Sequence, residues 1–205
     1  MRKAINFWDS ARYVLAILVI ASFPPSLLLW LAIHPFAAFW RQVGPVWTYV
    51  ILGLPVAGYM VGAWFFRKTL LVLDLGTNVI TMILAGIGLG TAVLLKRSVV
   101  KQLRFAALAG IPELSKEKYP GKLLTEGIYG RVRNPRYIEA LLWVMAYALF
   151  ANYLGAYIVV VLSLPLIYFV VRLEERELRE RFGTAYEKYC RQVPRFVPKP
   201  RPRNE

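Results

Sequence analysis

Long stretches of apolar residues, separated by short polar or charged segments, make up most of the chain. The first three such stretches run without a charge over residues 13–33, 46–66 and 75–95, which is 21 residues each. A helix needs about 20 apolar residues to cross the bilayer core. Each stretch therefore predicts one transmembrane helix, and residues 1–95 are predicted to form three spans.

The fourth apolar stretch carries no charge over residues 140–171, which is 32 residues. As a single helix it would be about 48 Å long, much longer than one membrane span. The Asn-Tyr-Leu-Gly sequence at residues 152–155, near its middle, is typical of a turn. We therefore predict a short helical hairpin over residues 135–173, which returns the chain to the side it left.

Both ends of this hairpin carry helix signals. Asn134 is a good helix cap, and Pro135 suits the first position of a helix. The second helix is predicted to continue past the membrane and to end at Gly183, because glycine commonly ends helices. The chain is thus predicted to be an all-α integral membrane protein with about five transmembrane helices, the last two forming the hairpin.

The positive charges are concentrated in the second half of the chain. The 205 residues include 26 Lys and Arg against 12 Asp and Glu, a net charge of +14. Six of these cations precede residue 96, ten lie between residues 96 and 136, and ten follow from residue 172. Cytoplasmic segments of membrane proteins are rich in Lys and Arg. We therefore expect a basic loop at 96–134 and a helix and tail at 174–205 to face the cytoplasm together. Five spans then place the N-terminus on the other side, which its own cations do not favour.

Composition excludes several classes of protein. Hydrophobic residues make up 58% of the chain and charged residues 19%, which excludes a disordered or ordinary soluble chain. A single cysteine, Cys190, excludes a disulfide framework, and one histidine with one cysteine argues against a metal site. The cations flank predicted spans, so membrane topology and anionic headgroups explain them better than a nucleic-acid partner does.

Two sequence features point to membrane packing rather than to chemistry. A GxGxG run at residues 86–90 lies inside the third apolar stretch, so we predict close helix packing through Gly86 and Gly90. His34, the single histidine, ends the first stretch and is interpreted as an interfacial polar group.

Two segments that flank the hairpin carry the candidate chemistry. Residues 121–137 crowd polar and aromatic side chains against a helix start, whose first N–H groups can bind an anion. Residues 172–189 form a helix rich in Glu and Arg, and the hairpin is predicted to bring Glu174 close to Asn134. A zwitterionic ligand would fit between them. A basic loop and a solvated charged helix with no ligand are the alternative interpretation.

The motif positions in these segments follow one another in a recognisable order. They are Leu123, Thr125, Gly127, Tyr129, Arg133, Asn134, Pro135 and Tyr137, then Glu174, Glu175, Leu178, Phe182, Gly183, Tyr186, Tyr189, Val193, Pro194 and Arg195. In this pattern the chain resembles the membrane methyltransferases of the isoprenylcysteine carboxyl methyltransferase and phospholipid methyltransferase family. The resemblance covers residues 121–195, about a third of the chain.

The resemblance implies S-adenosylmethionine as methyl donor and a cytoplasmic cofactor pocket in the C-terminal half, residues 96–205. The residues that it assigns to this pocket are Lys122, Leu123, Leu124, Tyr129, Asn134, Pro135, Arg136, Tyr137 and Glu174. The helix start could then take the carboxylate of the cofactor, and Glu174 could take its ammonium or complement its sulfonium.

Three further residues are candidates for catalysis or acceptor binding. Glu139 stands where the family often has glycine, and a carboxylate in a membrane helix is costly unless it is paired. We expect it to pair with Arg136 or Arg133, or to contact the substrate. The family also tends to place an arginine that meets an anionic substrate near the position of Arg172, although at a different spacing. Arg131 and Arg133 are further cations for this role.

The chemistry of the acceptor separates the possible functions. A carboxylate attacks without a general base, which suits a site with no histidine nearby, whereas a phospholipid amine must first lose a proton. We therefore expect carboxyl O-methylation of a lipid-like or prenylated acceptor that enters from the bilayer. Phospholipid amine N-methylation is the alternative within the family. A membrane scaffold or sensor that keeps the fold but has lost catalysis is the alternative of a different class. The departure from the family pattern at Glu139 is the sequence feature that supports it.

Overall fold

The computed structural model describes residues 7–102 and 122–198. Within these ranges the secondary structure is helical apart from turns, short irregular connections and one isolated bridge. The helices are α1 (Phe7–Ile33), a 3-10 turn (His34–Phe36), α2 (Ala37–Val43), α3 (Pro45–Phe65), α4 (Arg67–Leu70), α5 (Val79–Val100), α6 (Pro135–Ala151), α7 (Leu154–Phe182) and α8 (Thr184–Gln192). The predicted all-α architecture is confirmed for this part of the chain.

Four of the described helical segments are long and apolar enough to cross a membrane. They are Phe7–Val43, Pro45–Phe65, Val79–Val100 and Leu154–Phe182. They make the chain an integral membrane protein, whereas the sequence predicted five spans. The fifth is α6, whose 17 residues reach only about 25 Å. That α6 itself crosses the bilayer as half of a hairpin stays a prediction.

Two helix boundaries of the third span differ from the predicted ones. Residues 75–78 are not helical, and α5 begins after Asn78, whose side-chain oxygen accepts hydrogen bonds from the N–H groups of Ile80 and Thr81 at 2.9 and 3.3 Å. This cap explains the later start. At its other end α5 continues through Lys96 to Val100, into the predicted basic loop. Residues 103–121 of that loop, and the end of the tail at 199–205, lie outside the described residues.

Helix α1 is the central helix of the described bundle and packs against α3, α6 and α7. Its contact face with α6 and α7 is a buried apolar cluster composed largely of small and β-branched residues. The members include Ala16, Val19 and Ile20 of α1, Val144, Ala148 and Ala151 of α6, and Ala156 and Val160 of α7. Small side chains let helix backbones approach closely in a membrane. This packing sets the distance between α6 and α7, the two helices that carry the candidate site.

Helices α5 and α6 pack through a different glycine from the predicted pair. A Cβ added to Gly88 would lie 3.5 Å from the Cβ of Ala146, whereas one added to Gly86 or Gly90 would meet no described atom within 4 Å. Ala85 and Ala92 share the contact face with Gly88 and are buried. Residues two apart point to opposite sides of a helix. Within the described residues, Gly88 therefore makes the contact with α6, and packing through Gly86 and Gly90 stays a prediction.

A polar cluster joins the start of α1 to the turn between α6 and α7. Asn152, in the left-handed conformation at φ 54°, donates from its side-chain amide to the Gly76 carbonyl at 2.8 Å. Arg12 is 2% exposed, donates to the Ala151 carbonyl at 3.0 Å and pairs with the Asp74 carboxylate. Its guanidinium also lies over the Tyr153 ring, 5.4 Å from the ring centre. We call this end of the bundle the turn end.

The opposite end holds the start of α6 and the charged part of α7, and we call it the site end. Lys96 of α5 meets Glu139 there, and His34, just after α1, meets Glu177 of α7. Arg41 also pairs with Glu177 and therefore lies at this end. The site end thus collects the start of the loop after α5, the helix α8 and Arg41, while the N-terminal start of α1 lies at the turn end.

Candidate active site at the ends of α6 and α7

A hydrogen bond connects the first turn of α6 to α7 at the site end. The Tyr137 hydroxyl donates to the Glu174 carboxylate at 2.6 Å. Tyr137 is 8% exposed, and Glu174 is half-buried. Tyr137 packs with Leu27 of α1 and with Val170 and Val171 of α7, so its ring has an apolar support and only its hydroxyl reaches the carboxylate. Two residues that the sequence assigned to one pocket are therefore in contact across two helices.

Tyr129 lies in the same electrostatic neighbourhood. Burial raises the pKa of its phenol, the negative charges of Glu174 and Glu139 raise it further, and the nearby Arg136 lowers it. The backbone carbonyl of Tyr129 accepts a hydrogen bond from the Tyr189 hydroxyl at 2.7 Å. The phenol of Tyr129 is consequently neutral at physiological pH and is a hydrogen-bond donor close to one cation and two carboxylates.

The segment before Tyr129 forms a wall beside α8. Leu123 packs against the buried cluster of Tyr186, Tyr189 and Val193, and both Leu123 and Leu124 are half-buried. Lys122 is exposed. The predicted cofactor residues at 122–124 therefore offer two apolar side chains and one solvated cation next to the loop that carries Tyr129.

Glu175, the residue after Glu174, is fully buried and is the centre of a network of cations. Its carboxylate accepts hydrogen bonds from the Asn134 amide at 3.0 Å and from Arg195 at 3.0 and 2.7 Å. It also lies 3.1 Å from Arg133 and 3.7 Å from Arg179. The sequence predicted Glu174 as the neighbour of Asn134; the carboxylate that directly contacts Asn134 is that of Glu175, one residue later. Val171 and Glu175 share the face of α7 that packs against the start of α6, and Glu174 lies beside that face.

The start of α6 is where the sequence predicted it, but Asn134 acts differently. Asn134 precedes the helix and Pro135 occupies its first turn, as predicted. The Asn134 side chain makes no capping hydrogen bond, because its amide is directed to Glu175 and to the Arg195 carbonyl. Its backbone N–H also donates to the Arg195 carbonyl at 3.2 Å. The segment around Arg195 therefore holds the start of α6 in place.

Arg133 and Arg172, two of the candidate catalytic cations, occupy very different settings. Arg133 donates to the Cys190 carbonyl at 2.9 Å and pairs with Glu175, and its side chain is 9% exposed. It thus connects the start of α6 to α7 and α8. Arg172 is exposed and directly follows the fully buried Val171, so it lies off the packed face of α7. The hydrogen bond from Arg195 to Glu175 raises the pKa of the Arg195 guanidinium, which keeps this cation charged.

Glu139, the third candidate catalytic residue, is 5% exposed and lies one turn into α6. Its carboxylate is 3.5 Å from the ammonium of Lys96, in the last two turns of α5. The sequence predicted pairing with Arg136 or Arg133, or contact with the substrate; of these, the Arg133 side chain is directed to Glu175 and Cys190. Lys96 is a site residue that the sequence interpretation did not single out, although it is the first cation after the third apolar stretch.

The single histidine belongs to the site end as well. His34 Nδ1 lies 3.2 Å from the Glu177 carboxylate, whose other oxygen accepts a hydrogen bond from Arg41 at 2.6 Å. Glu177 is one helical turn beyond Glu174. His34 therefore lies at the same end of the bundle as the candidate site residues, where the sequence interpretation expected no histidine. His34 and Glu177 are 143 positions apart, and no motif connects them.

Residues 80–185 match the family model of the phospholipid methyltransferases, which is more than half of the chain. The chain belongs to the phospholipid methyltransferase family. This confirms the resemblance seen in the sequence and makes the protein a membrane methyltransferase of a family that acts on lipid-like substrates. No solved structure matches the chain. The part of this phospholipid methyltransferase family member that matches contains Tyr129, Tyr137 and Glu174, whereas His34 and Arg41 lie before it.

Proposed function

We propose that this protein transfers the methyl group of S-adenosylmethionine to the carboxylate of a lipid-like acceptor at the site end, and that this end faces the cytoplasm. The observation that carries the proposal is the gathering of Tyr129, Arg136, Tyr137, Glu139 and Glu174 at one end of an apolar bundle. All five lie within the range that matches the family. At that end a water-soluble donor and an amphiphile from the bilayer could both arrive.

The donor groups of the site suit the cofactor. S-adenosylmethionine carries a carboxylate, an ammonium and a sulfonium, and when bound it supplies an electrophilic methyl group. Glu174, held by Tyr137, would complement the positive charges, and Arg136 with the first turn of α6 would bind the carboxylate. The half-buried Leu123 and Leu124 would support the adenine. Lys122 and Tyr129 complete the proposed binding region, while Asn134 and Pro135 shape the helix start.

We place the acceptor next to Glu139 and Lys96. This pair lies deeper along α6 than Tyr137 and is closer to the predicted bilayer, since Glu139 follows Tyr137 toward the apolar part of the helix. The carboxylate of the acceptor could replace the Glu139 carboxylate as the ion-pair partner of the Lys96 ammonium. The exposed Arg172 would draw an anionic amphiphile to the same membrane face, and Arg133 would act by holding the start of α6. The attacking oxygen bonds to the methyl carbon as the carbon–sulfur bond breaks, so no proton needs to move.

N-methylation of a phospholipid amine is the second candidate, and two observations favour it. Glu139 is a buried carboxylate that could accept the proton an amine must lose. His34 lies with Glu177, one turn from Glu174, and adds an imidazole that the sequence interpretation did not expect there. The two candidates differ in their product: a methyl ester is hydrolysed by mild base, and a methylated amine is not.

Calorimetric titration of the detergent-purified protein with S-adenosylhomocysteine tests the cofactor. We expect saturable binding that Glu174→Gln weakens, and no binding at high micromolar ligand would overturn the proposal. Transfer of a radiolabelled methyl group from S-adenosylmethionine to the lipid extract of the native membrane tests the reaction. A base-labile product supports the carboxylate acceptor and a base-stable product the amine. Binding without transfer to any lipid fraction would support the inactive scaffold.

The proposed orientation has an independent test, because Cys190 is the single cysteine. In a Cys190→Ser background, Thr184→Cys places an exposed thiol at the site end and Thr77→Cys places one at the turn end. A membrane-impermeant maleimide added to intact cells should label only Thr77→Cys. The reverse labelling pattern would overturn the orientation without affecting the proposed chemistry.

A further inference from the structure

Trp30, near the end of α1, contacts both a histidine and an arginine. Its ring stacks on His34 with 5.4 Å between ring centres and an angle of 25° between the planes. The Arg136 guanidinium lies over the same indole, 5.2 Å from the ring centre. Trp30 therefore connects the end of α1 to the first turn of α6, where the candidate site begins.

His34, the residue on which Trp30 stacks, is itself held by two charged groups. The His34 side chain is 2% exposed and contacts the Glu177 carboxylate, which also binds Arg41. Arg41 on α2 thus contacts Glu177 on α7, and Glu177 contacts His34 just after α1. Trp30 extends this series of contacts to Arg136 on α6. An indole supported in this way has little freedom to move, and it presents a fixed aromatic face to Arg136.

We propose that Trp30 is a positioning residue that holds the Arg136 guanidinium in the orientation in which it binds the carboxylate of the methyl donor. This inference rests on the proposed function, since it assumes that S-adenosylmethionine is the donor. A cation over an indole face is attracted to the ring electrons, and the contact removes rotamer freedom from a long flexible side chain. Trp30 lies outside the residues that match the family, so the family relationship assigns it no role.

Packing alone could also explain a half-buried tryptophan at this place. Trp30 contacts the apolar clusters around Leu27 and around Ile33, so its removal would loosen α1 whatever it does for Arg136. Trp30→Phe and Trp30→Leu separate the two explanations. Both variants lose volume, but only phenylalanine keeps an aromatic face for the guanidinium. If Trp30 acts only through packing, the leucine and phenylalanine variants should bind S-adenosylmethionine with similar affinities.

The experiment measures the affinity of each variant for two ligands by calorimetry in detergent. S-adenosylmethionine carries the carboxylate, and decarboxylated S-adenosylmethionine lacks it but keeps the ammonium and sulfonium. We expect Trp30→Leu to weaken binding of S-adenosylmethionine about tenfold, Trp30→Phe to weaken it much less, and neither to change binding of the decarboxylated ligand. The thermal midpoint of each variant reports its packing separately. Trp47→Leu, at an exposed tryptophan, is the matched control.

A double variant tests whether Trp30 acts through Arg136. If it does, Trp30→Leu combined with Arg136→Met should bind S-adenosylmethionine no more weakly than Arg136→Met alone. Equal losses in the leucine and phenylalanine variants, equal losses for both ligands, or additive losses in the double variant would each overturn the inference. If the unaltered protein binds neither ligand, the proposed function fails and the inference fails with it. If the unaltered protein binds S-adenosylmethionine and one of the three results above is found, only the inference about Trp30 fails.

Discussion

The hydroxyl of Tyr137 donates a hydrogen bond of 2.6 Å to the carboxylate of Glu174. This contact connects the first turn of α6 to the charged turn of α7, within the range that matches the family. Because the Tyr137 ring is packed on α1 and α7, the phenol can hold the carboxylate at a fixed position beside the helix start. The position of the Glu174 carboxylate in the proposed cofactor site therefore depends on its contact with Tyr137.

Replacing Tyr137 with phenylalanine should weaken the binding of S-adenosylhomocysteine by about tenfold, because a hydrogen bond to a charged group contributes about 1.5 kcal/mol or more. Calorimetric titration measures the change. Tyr157→Phe is the matched control, since its hydroxyl donates to Asn152 at the turn end. That variant should bind the ligand as the unaltered protein does. Equal affinities in both variants would remove the Tyr137–Glu174 contact from the site.

Glu174 and Glu175, neighbouring carboxylates on α7, should respond differently to replacement by glutamine: the Glu175 variant should lose stability, and the Glu174 variant should lose ligand affinity. Glu175→Gln removes the charge that Arg133 and Arg195 share in a fully buried place, and breaking such a network costs about 3–5 kcal/mol. We expect a large fall in the thermal midpoint measured in detergent. Glu174→Gln, at a half-buried position, should leave the midpoint nearly unchanged and weaken ligand binding. A stable Glu175→Gln protein would contradict the structural role of this network.

The pair of Arg12 and Asp74 at the turn end should make stability depend on pH. Partial burial alone would raise the pKa of Asp74, but the Gly76 N–H and the Arg12 guanidinium lower it overall. A carboxyl whose pKa is lower in the folded protein contributes its full stability above the unfolded value of about 3.9, and loses it as the pH falls through the folded value.

The thermal midpoint of Asp74→Asn, measured from pH 7 down to pH 3, tests this dependence. The unaltered protein should be the more stable of the two at pH 7, and the difference should be constant down to about pH 5. Below about pH 3.9 the difference should shrink as Asp74 takes up its proton. A difference that does not change with pH would show that the charge of Asp74 contributes nothing. Ligand binding at the site end should be the same in both proteins at pH 7.

A methyl group added at Gly155 should destabilise the protein, whereas one added at Gly86 should not. A Cβ on Gly155 would clash with the backbone carbonyl of Leu70, which cannot move without displacing the connection before α5. Overpacking of this kind costs about 1–3 kcal/mol. A Cβ on Gly86 would meet no described atom within 4 Å, and alanine favours a helix over glycine. Thermal midpoints of Gly155→Ala and Gly86→Ala measure the contrast. A lowered midpoint for Gly86→Ala would instead indicate a partner against this face.

Many residues of the candidate site could be predicted from local sequence patterns, but the contacts between them could not. The motif residues around Tyr129, Tyr137 and Glu174 were identified from their order along the chain, and the structure brings these three together. Glu175 was missed as the partner of Asn134, because a change of one residue turns a helical side chain by about 100°. Which of two adjacent carboxylates faces α6 depends on how α7 is rotated against its neighbours. The same argument explains why Gly88 and not Gly86 meets α6.

The sequence by itself determined the all-α membrane architecture, the position of the charged segments and the membership of a methyltransferase family. These depend on hydrophobic length, helix signals and motif order, which are local properties of a chain. The tertiary structure alone decided that Lys96 meets Glu139, that Glu177 binds His34 and Arg41, and that Arg136 lies over the Trp30 ring. Those pairs are far apart along the chain, and only the packing of α1, α5, α6 and α7 side by side brings their polar ends together.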